Sequence, residues 1–406
     1  MSEGRMSRNE AIYTVAGTVI GAGILALPIS MAVSGFLPGL VALLVIGIAS
    51  VLTSMYIAET ILRTDEPLHL PRLANKYLGR GGFLLMFLGI LIYIYGALTG
   101  YLSAGGSLIF EVTRGLVPIW TGTIIYFAVS SLIIYYGLKA TGLAELVMFA
   151  FMMLLFFSII GYAFPRVNPS LLAHANWNSL LSVFGIVLFA YVGHSVIPTV
   201  AQGMKHDPQG LKLAAWVGVA VPMLLYIVWS FVIVGVVPSG AGDNTPVAFS
   251  DTATLAQGQQ HGQPATIPLG HIVGGTIIFL GALFAILSTM TSYMGFGLSL
   301  IDIYSGLLKI SFKNVYRIIP VSMAVLLPLA LALLRPSSFI SALDLAGIYG
   351  GGLFAGILPP LLVLSARKKG NRKPEFVTPG GNWVPFLVFL LFLGGLVYKT
   401  WDLLTS

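Results

Sequence analysis

The sequence predicts an all-α polytopic membrane protein with eleven spanning helices, and three observations lead there. Of 406 residues, 57% are hydrophobic and only 9% charged, with mean hydropathy +0.93. A soluble domain carries roughly 25% charged residues, because its surface must be wetted. A chain this apolar takes lipid as its solvent, where every backbone polar group has to be satisfied internally. The second observation is a series of apolar stretches of the length that crosses a bilayer, about 20 residues. The third is that Lys and Arg gather in alternate connections between those stretches.

In chain order the spans are 10–34, 37–62, 83–112, 118–138, 142–163, 179–202, 212–237, 268–305, 315–334, 338–364 and 383–404. The first has no cleavage-like site after it, so it reads as a span and not as a signal peptide. With the N-terminus inside and strict alternation, the inner side receives Arg5, Arg8, Arg63, Arg72, Lys76, Arg80, Lys139, Lys205, Lys212, Lys309, Lys313, Arg317, Arg367, Lys368, Lys369, Arg372 and Lys373. The outer side receives Arg114, Arg166, Arg335 and Lys399. This asymmetry puts the N-terminus inside and the C-terminus outside. It also accounts for the net charge of +7 without a nucleic-acid partner.

Three connections are polar: the inner loop Arg63–Gly82, the stretch Pro238–Pro268, which has no Lys or Arg, and the basic loop Arg367–Lys373. None is long enough for a separate core, so residues 1–406 are read as one transmembrane domain. With no Cys there are no disulfides, no thiolate metal sites and no Cys nucleophile.

Two spans carry breaks at matching places. Span 1 reads Gly17-Thr-Val-Ile-Gly21-Ala22-Gly23-Ile24-Leu-Ala-Leu-Pro28, and span 6 reads Phe189-Ala-Tyr191-Val192-Gly193-His194-Ser195-Val196-Ile197-Pro198. Gly costs about 1 kcal/mol and Pro about 3 kcal/mol in a helix interior, so each cluster predicts unwinding at mid-span. A lone cluster would be ordinary close packing of helices. Two clusters five spans apart suggest inverted repeats, since an odd number of crossings flips the second copy; these run over about 9–163 and 179–365, with 383–404 as an extra helix. Paired interrupted spans point to a midplane binding site. Half-helix N–H groups there attract a carboxylate and half-helix carbonyls attract an ammonium. A zwitterionic amino acid fits both.

The string Gly17–Pro28, GTVIGAGILALP, resembles the first-helix signature of the amino acid/auxin permease family, in its tryptophan/tyrosine permease branch, within the amino acid-polyamine-organocation superfamily. The resemblance continues through FAYVGHSVIPTV in span 6, the loop HDPQGLK, TMTSYMGFGLSLIDIY in span 8, and AL-x-x-AG-x-x-GG…GILPPLLV in span 10. It implies the leucine-transporter fold: 5+5 inverted repeats with broken helices 1 and 6, plus an eleventh helix. It also implies an ion-coupled symporter of amino acids, aromatic or neutral, working by alternating access in the cell membrane.

Read with that resemblance, Gly21, Ala22 and Gly23 are expected to offer backbone N–H groups to the substrate carboxylate, and Tyr191, Val192, Gly193 and His194 to form the facing wall. His194, an ionisable group inside a span, is a candidate for substrate hydrogen bonding or proton relay. Span 3 places Tyr93, Tyr95, Thr99 and Tyr101 near its middle, and Tyr95 and Thr99 are taken as substrate contacts. In span 8, offsets of three and four put Ser288 on one helical face with Thr291 and Ser292. The fold's sodium site then takes hydroxyls of these residues and carbonyls of Gly17 and Ile20. The coupling ion is Na+ or H+, and the absence of a Lys from the core of span 5 (Lys139 precedes it) favours Na+. Glu59 and Asp302, towards inner ends, suggest structural or gating ion pairs, with Glu145 another charge near a span. Asp344 lies towards the outer part of span 10, but Leu27 occupies the spot where the fold's outer-gate Arg would stand. No cofactor and no obligate protein partner are implied beyond the amino acid and the bilayer. No filter-like segment supports a channel, and no HExxH or GxSxG constellation supports a membrane enzyme. A broad neutral amino acid carrier and an amino acid sensor on the same scaffold remain the alternatives.

Overall fold

A computed structural model describes residues 6–64, 68–136, 142–204, 207–242, 247–310 and 315–405. Arg5, Lys139, Lys205, Lys313 and the side chain of Glu145 lie outside the described residues. The described chain is helical throughout, with no strand; its one β-bridge joins Gly35 to Ala175.

Helix α1 (Arg8–Val19) opens on a capping box: Ser7 Oγ accepts from the Glu10 amide at 3.2 Å and the Glu10 carboxylate accepts from the Ser7 amide at 2.7 Å. The chain unwinds at Ile20–Ala22 and resumes as α2 (Gly23–Ser30), bent 48° from α1. There follow α3 (Phe36–Leu62), α4 (Leu70–Val112), α5 (Ile119–Tyr136), α6 (Gly142–Ala163) and the single turn α7 (Pro169–Leu172). The sixth predicted span is α8 (Phe184–Ala190), a break, and α9 (Ile197–Gly203). Then come α10 (Pro208–Val236), the short helices α11 (Leu255–Gln260) and α12 (Thr266–Val273), α13 (Gly275–Leu308) and α14 (Ile318–Leu334). The tenth span is α15 (Phe339–Leu345), a π-helix at Ala346–Ile357 and α16 (Leu358–Lys369); α17 (Trp383–Thr405) closes the chain.

Among the described residues nine helical segments are long and apolar enough to cross a bilayer, and the bent α1–α2 pair makes a tenth. The shorter apolar α14, Ile318–Leu334, takes the place of the remaining predicted span. Two boundaries need correction. The helix of the third span reaches back from 83 to Gly79, whose φ of 75° only Gly adopts freely; beyond that kink the segment 70–78, about two and a half turns, carries Arg72 and Lys76. The eighth begins at Gly275, because Gly274 (φ 112°) detaches α12 from it.

One end of the bundle gathers the N-terminus and the basic connections. The Met6 amide donates to Gly203 O at 3.1 Å, and Arg8 Nη2 donates to Asp207 Oδ1 at 2.9 Å. This pairing holds the Asp207 carboxyl below the usual carboxylate range. At the same end Glu59, with no exposure, accepts from Arg63, from both Nε and Nη2 of Arg367 at 2.9 Å, and from the Thr378 amide at 2.9 Å. This buried network joins α3, α16 and the chain leading into α17. At the opposite end the connection 238–274 folds back over α2: the Ala265 amide donates to Leu25 O at 3.0 Å, and Ser239 Oγ donates to Ala32 O at 2.5 Å.

Candidate substrate site

The two broken spans meet. A Cβ added to Gly23, the first residue of α2, would lie 2.7 Å from Cα of Ala190, the last residue of α8. Only Gly permits that backbone approach. A Cβ on Gly193 would likewise strike the Val19 side chain at 2.5 Å. The start of one half-helix, with its exposed-donor end, thus abuts the end of another, with its acceptor end. Tyr226 of α10 ties the same region together: its hydroxyl reaches Val19 O at 2.6 Å and Ala190 O at 2.9 Å, the terminal carbonyls of α1 and α8.

A second junction links the first break to α13 and α4. A Cβ on Gly21 would lie 2.8 Å from Ser292 Oγ, and the Tyr101 hydroxyl lies near the Ser292 side chain. Around it stands an aromatic cluster. Tyr93 stacks on Phe189 (centroids 4.9 Å, 24° between planes) and meets Phe296 and Phe354 edge-on, each at 5.5 Å. Phe296 in turn stacks with Tyr101 at 6.3 Å. The Tyr93 hydroxyl donates to Phe189 O at 3.2 Å. The π-helix brings Gly350 against the Tyr93 backbone and Gly351 against Val192, contacts that larger residues would block. This π-helix, twelve residues long, places Phe354 in the cluster.

The remaining sequence-expected residues divide as follows. Tyr191 is buried with its hydroxyl on Leu43 O at 3.1 Å and its ring on Tyr226. His194 is buried with Nε2 2.7 Å from Thr53 Oγ1. Tyr95 bonds the Tyr304 hydroxyl and donates to Met323 O at 2.8 Å, while Thr99 donates to Tyr95 O at 2.8 Å. Both belong to the α4 face turned towards α13 and α14, whereas Tyr93 and Tyr101, eight residues apart, share the face towards the breaks. Of the ion set, Ser288 Oγ is buried without a hydrogen-bond partner among the described residues. Thr291 donates to Leu287 O and Ser288 O of its own helix, and Gly17 is half-buried beside open space. Ser292 comes against Gly21. Among the described residues no group of three or more His, Cys, Asp or Glu could hold a metal; hydroxyls and carbonyls are the donors on offer, which suits a hard monovalent cation. Asp344 pairs with Lys399 of α17 at 3.0 Å, and Asp302 is exposed.

Ser195, Thr199 and Gln202 on one face of the second broken span are exposed, as are Gly295, Ser299 and Asp302 on α13, both sets spaced four then three. Thr14, Gly17 and Thr18 on α1 and Gly21 in the break are part-exposed, while every residue of α2 is buried. Polar faces at this depth require water rather than lipid. The 238–274 connection packs against α2 at the other end. Sequence reasoning missed Tyr226, Thr53 and the aromatic partners Phe296 and Phe354. A tyrosine four residues after Pro222 within an apolar span was the available signal for the first.

Residues 6–400 match the model of the tryptophan/tyrosine permease family. Tyrosine-specific transport system 1 of Haemophilus influenzae is 27% identical over 390 residues, covering 94% of this chain and 93% of that protein. The tryptophan-specific transport protein of Pseudomonas aeruginosa is 24% identical over 390 residues, covering 94% and 90%. A glutamine transporter of Aliivibrio fischeri, glutamine transporter 2, is 23% identical over 363 residues, covering 87% and 88%. A chain with these spans, these paired breaks and a match from one end to the other is a multi-pass protein of the cell membrane and belongs to the tryptophan/tyrosine permease family.

Proposed function

We propose that this protein is a secondary active transporter that carries aromatic amino acids across the cell membrane by alternating access, driven by a cation gradient. The observation that carries the reading is the meeting of Gly23 and Ala190 beside the Tyr93–Phe189–Phe296–Phe354–Tyr101 cluster. The N–H groups of Ala22 and Gly23 receive the carboxylate, the Gly21 amide being held by Val19 O at 2.8 Å, half-helix carbonyls receive the ammonium, and the aromatic faces and edges receive an indole or phenol ring. In this reading residues 9–163 and 179–365 are inverted repeats of the leucine-transporter fold, with 383–404 as the extra helix. The N-terminus is cytoplasmic and the C-terminus external. Ser288 and Ser292 with the carbonyls of Gly17 and Ile20 are the candidate Na+ ligands.

The glutamine transporter among the relatives supports a second reading, a broader neutral carrier, because pocket volume and not the backbone clamp sets side-chain choice. The test is uptake of labelled amino acids by purified protein in liposomes, with Na+ and H+ gradients imposed separately. Accumulation of Trp, Tyr or Phe above equilibrium is the expected result. Preference for small neutral amino acids would replace the aromatic reading, and no gradient-driven uptake would overturn transport. Ser292→Ala is expected to weaken any Na+ dependence; an unchanged response would remove the proposed Na+ site.

A further inference from the structure

We propose that Nδ1 of His194 is a proton-binding site that couples substrate binding to the proton gradient, a step that rests on the amino acid transport reading above. His194 follows the second break directly and is fully buried. Its Nε2 lies 2.7 Å from Thr53 Oγ1, and the Thr53 hydroxyl itself donates to the Ser50 carbonyl at 3.1 Å. With its own hydrogen committed to Ser50, Thr53 presents an acceptor to Nε2, so Nε2 carries the proton. Nδ1 is therefore a bare lone pair, and among the described residues it has no partner. The Ser50 and Ser54 hydroxyls nearby on α3 are buried and without partners too. A buried acceptor left open within a membrane span marks function more often than packing.

The surroundings say what it takes. On α3, Glu59 is held by Arg63, Arg367 and the Thr378 amide, and Tyr56 is the other titratable group. On α1, Arg8 is paired with Asp207, Glu10 caps Ser7, and Tyr13 is exposed. Helices α8 and α9 carry no charged residue, and on α10 Lys212 lies over the Phe376 ring. Tyr191 and Tyr226 are bonded to backbone carbonyls. An imidazolium at His194 thus has no free carboxylate beside it. The substrate brings one: the amides of Ala22 and Gly23 begin three residues after Val19, whose side chain packs on Gly193. A proton on Nδ1 and a carboxylate at the break stabilise each other, and linkage makes the effect reciprocal. The proton comes from water along the polar face, where the adjacent Ser195 is exposed. One N–H bond forms and one positive charge is gained, so the loaded carrier moves a net charge with a zwitterion.

The experiment is proton uptake by purified protein in weak buffer on addition of tryptophan, with tryptophan binding followed separately. The wild type should take up about one proton per tryptophan bound, and His194→Gln at saturating tryptophan should take up none. Thr53→Val removes the acceptor that holds Nε2–H and stabilises the imidazolium, and should move the uptake midpoint about one pH unit lower. It also covers the case in which His194→Gln fails to fold. Undiminished uptake by His194→Gln, or an unmoved midpoint in Thr53→Val, overturns the site. Tryptophan binding by the wild type without proton uptake overturns the proton site while leaving transport intact. No binding of any aromatic amino acid overturns the transport reading itself.

Discussion

The hydroxyl of Tyr226 bonds the carbonyl of Ala190 at 2.9 Å, and the same oxygen lies 2.6 Å from Val19 O. One side chain on an unbroken helix thereby holds the ends of two broken ones. Unwound helix ends leave carbonyls that lipid cannot satisfy; the single hydroxyl proton is shared between these two, and Val19 O accepts from the Gly21 amide at 2.8 Å as well. Tyr226→Phe keeps the ring and removes only the hydroxyl. Loss of a buried hydrogen bond that leaves an acceptor stranded costs about 1–3 kcal/mol. A lower thermal midpoint is expected, together with an uptake rate reduced tenfold or more. Wild-type uptake would show that the two half-helices hold their positions without this clamp.

Gly21 and Gly23 are two residues apart but predict different outcomes. At Gly23 an added Cβ meets backbone, Cα of Ala190 at 2.7 Å, which cannot rotate away. At Gly21 it meets Ser292 Oγ at 2.8 Å, which can. Gly23→Ala should therefore abolish binding or folding. Gly21→Ala should bind tryptophan with an affinity within about tenfold of wild type, and only a larger residue, as in Gly21→Leu, should eliminate binding. The check is tryptophan binding by purified variants. Equal effects of the two alanine changes would contradict this ranking.

Glu59→Gln probes the buried network at the N-terminal end. The carboxylate takes bidentate donation from Arg367 together with Arg63 and the Thr378 amide, all within 3.1 Å. The neutral amide leaves two guanidinium charges without their counter-ion, and removing one partner of a buried pair costs about 3–5 kcal/mol. A large fall in thermal midpoint, and loss of protein from the membrane fraction, should follow. A stable Glu59→Gln protein would mean that water reaches the network.

These outcomes divide along the line between what the sequence makes legible and what it leaves dark. The breaks at Gly17–Pro28 and Phe189–Pro198 were readable because Gly and Pro penalties are local and add up within a few residues. The spans were readable from length and hydropathy for the same reason. Which face of α4 meets the breaks was not readable: Tyr93 and Tyr101 do, Tyr95 and Thr99 do not, and an all-round apolar helix carries no stripe to tell them apart. Tyr226 and Thr53 act through partners far away in the chain, and the π-helix at Ala346–Ile357 follows from glycines seated on α4 and α8. Neither signal exists before the neighbours are known.

The last prediction concerns pH at the end opposite the N-terminus. His271 of α12 lies with Nδ1 2.8 Å from Thr252 O and Nε2 2.6 Å from Glu111 Oε1. Hydrogen bonding to Glu111, ahead of the opposing effect of burial, raises the imidazole above its ordinary 6.5. A raised value in the folded protein means that the pair stabilises fully below 6.5 and that this contribution fades as pH rises through the raised value. Nearby His261, its ring 3.0 Å from Thr252 Oγ1, is shifted the other way by burial and so favours the fold at higher pH. The difference between wild type and His271→Gln isolates the first effect. Between pH 6 and pH 9 the gap in thermal midpoint should shrink, being largest at pH 6, where the charged pair is worth about 1–3 kcal/mol. Because this pair fastens the 238–274 connection to α4, its loosening should also increase proteolysis within that connection at pH 9. A gap that stays constant or widens with pH would show that His271 is held neutral and that Glu111 does not charge it.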